Sequence, residues 1–485
     1  MFNQFKRLFR HSAIYAIGTV AQSAVAFLLI PLYTRYIVPA NYGRLEIINT
    51  FGAILLMLVS FGFGSALMKT YFRDAHNETE RKRLIGTLFM FVLPVAYAIL
   101  AVLIFFSPQL SQALLGGTEW TGLFQILLIT TFFSLFMNLA FALLRVQERS
   151  KKYTALFLLR FFAVLGLNFY FIIWLELDIK GILVANLITF AIVAFSLVPD
   201  VIKSASFKFS GFFLKKLWIF GLPIIPASIA MWFMDLSDRY FIEFFRSSDE
   251  VGIYSLGYKL GMLVNIAVVA PFQLAWPTLY FDVSRRGDAQ QIYAKVLTYF
   301  TIASTSLALV LGVLAPEILR VLAGEAYWDA YKVVFLVAIS YVFYGMHFVL
   351  APGIHIKEKT KYYPLVVMIP AIANVILNYF IVPPYGMMGA ATTTVICFAF
   401  VIILTYLFAN HWYPIKYNWK RIWGVWTIAV LVFAASLFVS HDNVWISTAL
   451  KLALLVGDIA LLYIFGLWRM GEIRQFREMF RKTSN

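Results

Sequence analysis

Two short basic segments, VQERSKKY at residues 146–153 and IKEKTKYY at residues 356–363, decide the fold that the sequence predicts. They align without a gap at a separation of 210 residues, which places Glu148 on Glu358. At the same separation GLNFYF aligns with ILNYFI, and at nearly the same separation Gly43 aligns with Gly252. Several matches at one separation indicate an internal repeat.

The composition indicates a membrane protein. Of the 485 residues, 62% are hydrophobic and 13% are charged, which is more apolar surface than one soluble core can bury. The net charge of +16 comes from small basic groups between apolar runs, and this pattern does not favour nucleic acid as a partner. The single cysteine, Cys397, excludes an intrachain disulfide, and we expect no metal and no cofactor.

The apolar runs predict fourteen membrane spans, at about 20 residues for each crossing. The predicted spans are residues 13–34, 47–68, 85–107, 121–144, 155–175, 181–200, 218–244, 253–281, 296–315, 331–354, 364–383, 387–408, 422–440 and 446–468. About 30 of the 40 Lys and Arg lie in the N-terminal segment, the C-terminal tail and every second connection. The positive-inside rule therefore predicts that both termini are cytoplasmic.

The repeat covers six spans, so its two copies have the same orientation in the membrane. We therefore predict an all-α polytopic membrane protein with two parallel six-helix lobes and two C-terminal helices. The predicted divisions are an N-terminal lobe at 1–200, a cytoplasmic linker at 201–217, a C-terminal lobe at 218–410, and two spans with a basic tail at 411–485. In transporters built from such repeats, the substrate site lies between the lobes near the midplane.

The seventh predicted span contains an unusual charged segment, WFMDLSDRYFIEFF at residues 232–245. A charge near the bilayer centre costs about 2.5 to 3.5 kcal/mol on insertion scales. Asp235 and Arg239 are four residues apart and share a helical face. Two interpretations are open: the pair locks the helix, or Asp235, Asp238 and Arg239 face a water-filled cavity. We favour the cavity, because intramembrane charges usually face a bundle interior or a pathway.

Other polar residues inside the predicted spans are weaker candidates for the same cavity. Lys259 and Arg160 either face the cavity or extend to the membrane surface. Arg35 aligns with Arg239 in the repeat. It either faces the cavity or anchors the helix at the membrane interface, and the sequence favours neither. Asn374 and Asn378 stand one turn apart, where hydrogen bonding between helices is the plainer explanation.

Three stretches resemble one family along nearly the whole chain. They are LLIPLYTRYIVPANYGRLEI at 28–47, DRYFIEFFRSSDEVGIYSLGYKLGML at 238–263 and NVILNYFIVPPYGMMGAATTT at 374–394. The specific parts are Pro-x-x-Tyr-Gly, Asp-Arg followed by Gly-x-Tyr, and Asn-x-x-x-Asn followed by Gly-x-x-Gly-Ala-Ala. These stretches resemble the polysaccharide transporter family of the MOP (MATE-like) exporter superfamily, the lipid-linked oligosaccharide flippases.

The resemblance implies a flippase of the bacterial or archaeal cytoplasmic membrane that works by alternating access. Its implied partners are the lipid bilayer, a polyprenyl-pyrophosphate-linked oligosaccharide and a polysaccharide polymerase. Basic residues would hold the pyrophosphate through charge-assisted hydrogen bonds. In some relatives a sodium ion sits between an acid and an Asn/Asp pair, which implies a cation site at Asp235, Asn374 and Asn378, with H+ or Na+ as the coupling ion. The second acid of that site is an asparagine here.

Two other functions stay open at the level of sequence. A cation-coupled exporter of small molecules, as in multidrug transport, has the same architecture, although this chain lacks the acid that such exporters often have on the first helix. A membrane glycosyltransferase or polymerase is also polytopic, but it needs sizeable outward loops with catalytic groups, and the outward connections here are short.

Overall fold

The computed structural model describes residues 27–284, 286–359, 362–439 and 443–468, and these residues are almost entirely helical, without a strand. Apart from short π and 3-10 segments, the helices are α1 Ile30–Tyr36, α2 Pro39–Val59, α3 Phe63–Arg73, α4 Glu78–Phe105, α5 Ser107–Leu115, α6 Thr121–Val146, α7 Ser150–Phe169, α8 Asp178–Ser204, α9 Gly211–Gly221, α10 Ile224–Leu236, α11 Asp238–Phe245, α12 Ser248–Gly261, α13 Ala270–Val283, α14 Ala289–Leu322, α15 Tyr331–Leu350, α16 Pro352–Ile356, α17 Tyr363–Trp412, α18 Trp419–Leu437 and α19 Val444–Ile464. The predicted all-α class is confirmed.

Twelve helical stretches in the described part of the chain are long and apolar enough to cross a membrane, so the protein is multi-pass. One of them, α17, is 50 residues long and contains both the eleventh and the twelfth predicted span. The two halves meet at Gly386, whose φ of 53° and ψ of −135° lie outside the regions that residues with a side chain adopt readily. Most of the first predicted span lies outside the described residues, and the count of fourteen stays a prediction.

The chain divides into two compact units, with the boundary between Ser255 and Leu256. In the first unit, buried side chains of α3, α4, α6 and α8 form a large apolar core around Phe63 and Leu128. In the second unit, α14 and α15 pack against α18, where the Phe335 and Phe433 rings stack at 3.9 Å between centroids. The boundaries predicted for the two lobes stay a prediction.

The two basic connections that define the sequence repeat have the same backbone conformation. Glu148 and Glu358 both have a φ of 55°, in the left-handed region. The Glu148 amide donates to the Arg145 carbonyl at 3.0 Å, and the Glu358 amide donates to the His355 carbonyl, also at 3.0 Å. Each partner lies three residues earlier in the chain. The repeat in the sequence is thus also a repeat in backbone conformation.

The repeat also relates the two glycines at a close contact between α2 and α12. A Cβ atom on Gly43 would lie 1.8 Å from the backbone oxygen of Ser248, and one on Gly252 would lie 2.2 Å from the backbone oxygen of Pro39. Ser248 and Pro39 are the first residues of their helices and are themselves 209 positions apart, as the two glycines are. Ser248 is therefore the repeat counterpart of Pro39, as Gly252 is of Gly43. The contact of Gly43 with the Ser248 carbonyl and the contact of Gly252 with the Pro39 carbonyl are equivalent under the repeat. Only residues without a side chain allow this approach.

Candidate functional site

The charged segment of the seventh predicted span folds as two consecutive helices. α10 ends at Leu236 and α11 begins at Asp238, with Ser237 between them in a helical backbone conformation. The Ser237 hydroxyl donates to the Phe233 carbonyl at 2.5 Å, a bond to the preceding turn that often accompanies a bend. The interruption makes Asp238 the first residue of a helix, where the helix dipole favours a carboxylate.

Asp238 and Arg239 are buried together against one tyrosine. Asp238 is 0% exposed and Arg239 is 3% exposed. The Tyr254 hydroxyl donates to Asp238 Oδ2 at 2.6 Å, and the Arg239 guanidinium carbon lies 5.8 Å from the centroid of the Tyr254 ring. The tyrosine therefore contributes a hydrogen bond to the acid and a cation–π contact to the base. We call these three residues the α11–α12 charge cluster.

Asp235 lies one turn before this cluster and is half-buried. The Arg239 Nη1 atom donates to the backbone carbonyl of Asp235 at 3.3 Å. Arg239 thus contacts the main chain of the residue one turn earlier, and a shared face for the two side chains stays a prediction. Their use as a substrate site stays a prediction.

The other predicted cavity residues occupy different environments. Arg35 is exposed at the end of α1, whereas its repeat counterpart Arg239 is buried. Arg160 on α7 is partly buried, with its guanidinium carbon 4.4 Å from the centroid of the Phe190 ring on α8. Lys259 is partly buried near the end of α12. All three stay candidates for contact with a charged substrate.

The two asparagines of the predicted cation site are hydrogen-bonded to each other. The Asn378 amide donates to Asn374 Oδ1 at 3.1 Å, and both side chains are completely buried in α17. In the first unit, the repeat counterpart Asn168 is also completely buried, and its Oδ1 accepts a bond from the Tyr33 hydroxyl at 2.9 Å. Binding of H+ or Na+ by Asp235 with this pair stays a prediction.

Two buried polar residues, Glu46 and Tyr254, were not predicted from the sequence as parts of the site. Glu46 on α2 is buried, and it lies within electrostatic range of Tyr33. The second span was predicted to begin at residue 47, which placed Glu46 at the membrane surface, but α2 begins eight residues earlier at Pro39. Tyr254 was noticed only as part of a motif. A proline at the first turn of a helix was the available signal for the earlier start.

A family described as "Polysaccharide biosynthesis protein" matches residues 8–280. That match covers more than half of the 485 residues. The chain belongs to this family. The matched stretch contains both glycines of the α2–α12 contact and all of the α11–α12 charge cluster.

Individual relatives extend the similarity over nearly the whole polysaccharide biosynthesis protein. A protein of Haloferax volcanii named "Probable low-salt glycan biosynthesis flippase Agl15" is 21% identical over 454 residues, which are 92% of each chain. The solved structure of the lipid II flippase MurJ in an inward closed conformation is 16% identical, with a TM-score of 0.65, and covers 95% of this chain and 100% of that chain. An inward-facing MATE family multidrug resistance transporter of the MOP superfamily is 15% identical, with a TM-score of 0.64, over 81% and 94% of the chains. The resemblance to a polysaccharide family predicted from the motifs is confirmed, and the fold is similar to those of these two solved proteins.

Proposed function

We propose that this polysaccharide biosynthesis protein is a flippase, which moves polyprenyl-pyrophosphate-linked oligosaccharide units from the inner to the outer leaflet by alternating access. The observation that carries the proposal is the similarity over 92% of both chains to a protein named as a glycan biosynthesis flippase. The fold, which is similar to that of a lipid II flippase, supports it. The chemistry is transport without a covalent step.

The proposed location is the cytoplasmic membrane, with both termini in the cytoplasm. The distribution of Lys and Arg supports this orientation, since about 30 of the 40 lie in the N-terminal segment, the tail and alternate connections. A flipped unit at the outer leaflet would be the substrate of a polysaccharide polymerase, which is the partner we expect to consume it.

The α11–α12 charge cluster is the proposed anchor for the pyrophosphate. Arg239 presents a planar fork of donors that matches phosphate oxygens, and the Tyr254 ring contacts its guanidinium while no substrate is bound. Substrate binding would then exchange a contact between Arg239 and a ring for a stronger one between Arg239 and phosphate. Asp235, Lys259, Arg160 and Arg35 are the proposed supporting contacts.

A second candidate function is the export of small molecules coupled to H+ or Na+. The similarity to a multidrug transporter fold favours it, as does the buried Asn374–Asn378 pair, whose amide oxygens are hard ligands of the kind that a cation takes. Replacing Asn378 by leucine would then remove the ion dependence of transport. A flippase without ion coupling would keep its activity after that change.

The decisive test is a clean deletion in a strain that lacks a second copy of the gene. We expect lipid-linked repeat units to accumulate on the inner leaflet and one surface polysaccharide to disappear, while the cytoplasmic glycosyltransferases stay active. A plasmid carrying the wild-type gene should restore the polymer. Normal surface polymer together with increased sensitivity to toxic cations would instead support the small-molecule exporter.

A further inference from the structure

A second polar site lies in the second unit, far along the chain from the α11–α12 charge cluster. A cavity of about 420 Å³ opens among α14, α15, α17, α18 and α19. This volume falls in the range typical of small-ligand sites. The residues that line it come from the ends of five predicted spans, and the predicted topology places all five ends on the outer side of the membrane.

The inner part of the cavity contains a buried acid that is only half satisfied. Glu317 on α14 is 6% exposed, and its Oε1 atom accepts hydrogen bonds from Lys451 Nζ and from the Ser447 hydroxyl, both at 2.7 Å. Its Oε2 atom is buried and has no hydrogen-bond partner among the described residues. A buried carboxylate oxygen without a donor is unfavourable, so a donor from outside the chain would stabilise it.

The mouth of the cavity is lined by two exposed cations. Arg320 follows Glu317 by less than one turn of α14, and its guanidinium carbon lies 5.7 Å from the centroid of the Trp328 ring. Lys332 is the second residue of α15 and forms an ion pair with Asp329 at 2.9 Å. Arg320, Lys332 and Lys451 are three of the roughly 10 basic residues that lie outside the N-terminal segment, the tail and the basic connections. The positive-inside rule makes basic residues rare on the outer side of the membrane. Three of them around one outward cavity therefore indicate an anionic ligand there.

We propose that this cavity binds the head group of an outer-leaflet phospholipid whose terminal group donates hydrogen bonds. The phosphate lies at Arg320 and Lys332, and the terminal amine or hydroxyl donates to Glu317 Oε2. One ligand thereby supplies both an anion for the mouth and a donor for the interior, with its acyl chains in the surrounding bilayer. The inference depends on the predicted topology and is independent of the proposed flippase activity.

The test measures the thermal unfolding of the purified full-length protein in detergent with added lipid. Phosphatidylethanolamine and phosphatidylglycerol both carry donors, whereas the quaternary amine of phosphatidylcholine has none. We expect the first two to raise the midpoint of unfolding clearly more than phosphatidylcholine does, and inorganic phosphate to have little effect. Equal stabilisation by phosphatidylcholine would overturn the assignment of the donor, and equal stabilisation by inorganic phosphate would show an anion site without lipid selectivity.

Two variants assign the effect to this cavity. The double change Arg320→Gln and Lys332→Gln leaves the interior intact and should weaken apparent lipid affinity by about tenfold or more, as expected for the loss of charge-assisted hydrogen bonds. Lys180→Gln is the matched control, since Lys180 is an exposed outward cation of the first unit, and it should bind lipid like the wild type. Equal lipid affinity in the double variant and the wild type would overturn the proposal.

The acid is tested by removing it together with its partner. Glu317→Leu with Lys451→Met removes the acceptor oxygens and avoids leaving a lone buried charge, which would oppose folding. This variant should bind phosphatidylethanolamine and phosphatidylcholine with similar affinity. Retained preference for phosphatidylethanolamine in this folded variant would contradict the role of Glu317.

Discussion

The buried acids Asp238 and Glu317 each accept a hydrogen bond from a side chain on a neighbouring helix. Tyr254 of α12 donates to Asp238 of α11, and Lys451 of α19 donates to Glu317 of α14. In an apolar surrounding an unpaired charge would be far more costly than a paired one. A charged residue is therefore tolerated inside the bundle only when a partner offsets its desolvation. A substrate that binds such a residue must replace that partner.

The Tyr254 hydroxyl should contribute measurably to stability. Tyr254→Phe removes a hydroxyl that donates to Asp238 and should lower the free energy of unfolding by about 1.5 to 3 kcal/mol, as for hydrogen bonds to charged groups. Tyr341→Phe is the matched control, because it removes a bond between two neutral hydroxyls, 3.2 Å long, and should cost about 1 kcal/mol. Thermal or denaturant unfolding in detergent measures both. Equal losses would mean that the bond from Tyr254 to Asp238 contributes no more to stability than a bond between two neutral hydroxyls.

The paired change Asp235→Leu and Arg239→Met tests whether the charges serve transport or structure. If they only lock the helix, the variant should fold and export normally, since an ion pair in an apolar setting often fails to recover its desolvation free energy. We expect a well-folded variant with little export, and partial export by Arg239→Lys, which keeps charge without the fork of donors. The measurement is surface polysaccharide per folded transporter. Normal export by the double variant would move the proposed substrate site to Lys259 and Arg160.

At the scale of single residues, the sequence predicted contacts along one helix better than it predicted contacts between helices. The spacing of Asp235 and Arg239 predicted a contact one turn apart, and Arg239 does bond to the Asp235 backbone carbonyl. The bond between Tyr254 and Asp238 joins residues on different helices, and helical periodicity carries no information about contacts between helices. Glu46 was missed because a hydropathy average begins a span where the apolar run begins, whereas α2 begins at a proline before it.

At the scale of helices, the close approach of α2 and α12 depends on its two glycines. Gly43→Ala or Gly252→Ala would force a Cβ to within about 2 Å of a backbone carbonyl, so the helices must separate. If this contact closes the outer side, each change should shift the protein towards an outward-open state, with increased labelling of a reporter cysteine placed in the predicted cavity.

Gly166→Ala is the control for that experiment. Gly166 lies within α7, and an added Cβ meets nothing within 4 Å. Helix packing is then undisturbed, and labelling should match the wild type. Similar labelling of the Gly43 and Gly166 variants, both folded, would mean that the α2–α12 contact does not control access.

Hydropathy predicted most of the helices but not where they bend or join. The predicted span 218–244 is interrupted at Ser237, and the spans 364–383 and 387–408 are joined directly by a kink at Gly386. The joint at Gly386 depends on a backbone conformation that an average over apolar side chains does not detect. Composition sets the number of crossings, while local backbone geometry sets their connections.

At the scale of the molecule, the distribution of charge predicts which ends of the helices are cytoplasmic. In a background in which Cys397 is replaced by serine, a cysteine at Lys151 should resist an impermeant reagent added to intact cells, and one at Glu119 should react. Both positions are exposed, so a difference in labelling would report the side of the membrane rather than burial. Labelling of both positions, or of Lys151 alone, would overturn the predicted topology.

The α2–α12 contact also limits how the gene can vary. Each glycine faces a main-chain oxygen, and no amino-acid exchange removes a main-chain oxygen, so a larger residue at position 43 cannot be accommodated by a smaller one across the contact. Suppressor mutations of a defective Gly43 allele should therefore be absent from positions 248 and 252 and arise at sites that move a whole helix. Because the contact is reciprocal, an allele at Gly252 should be rescued by an overlapping set of such distant suppressors.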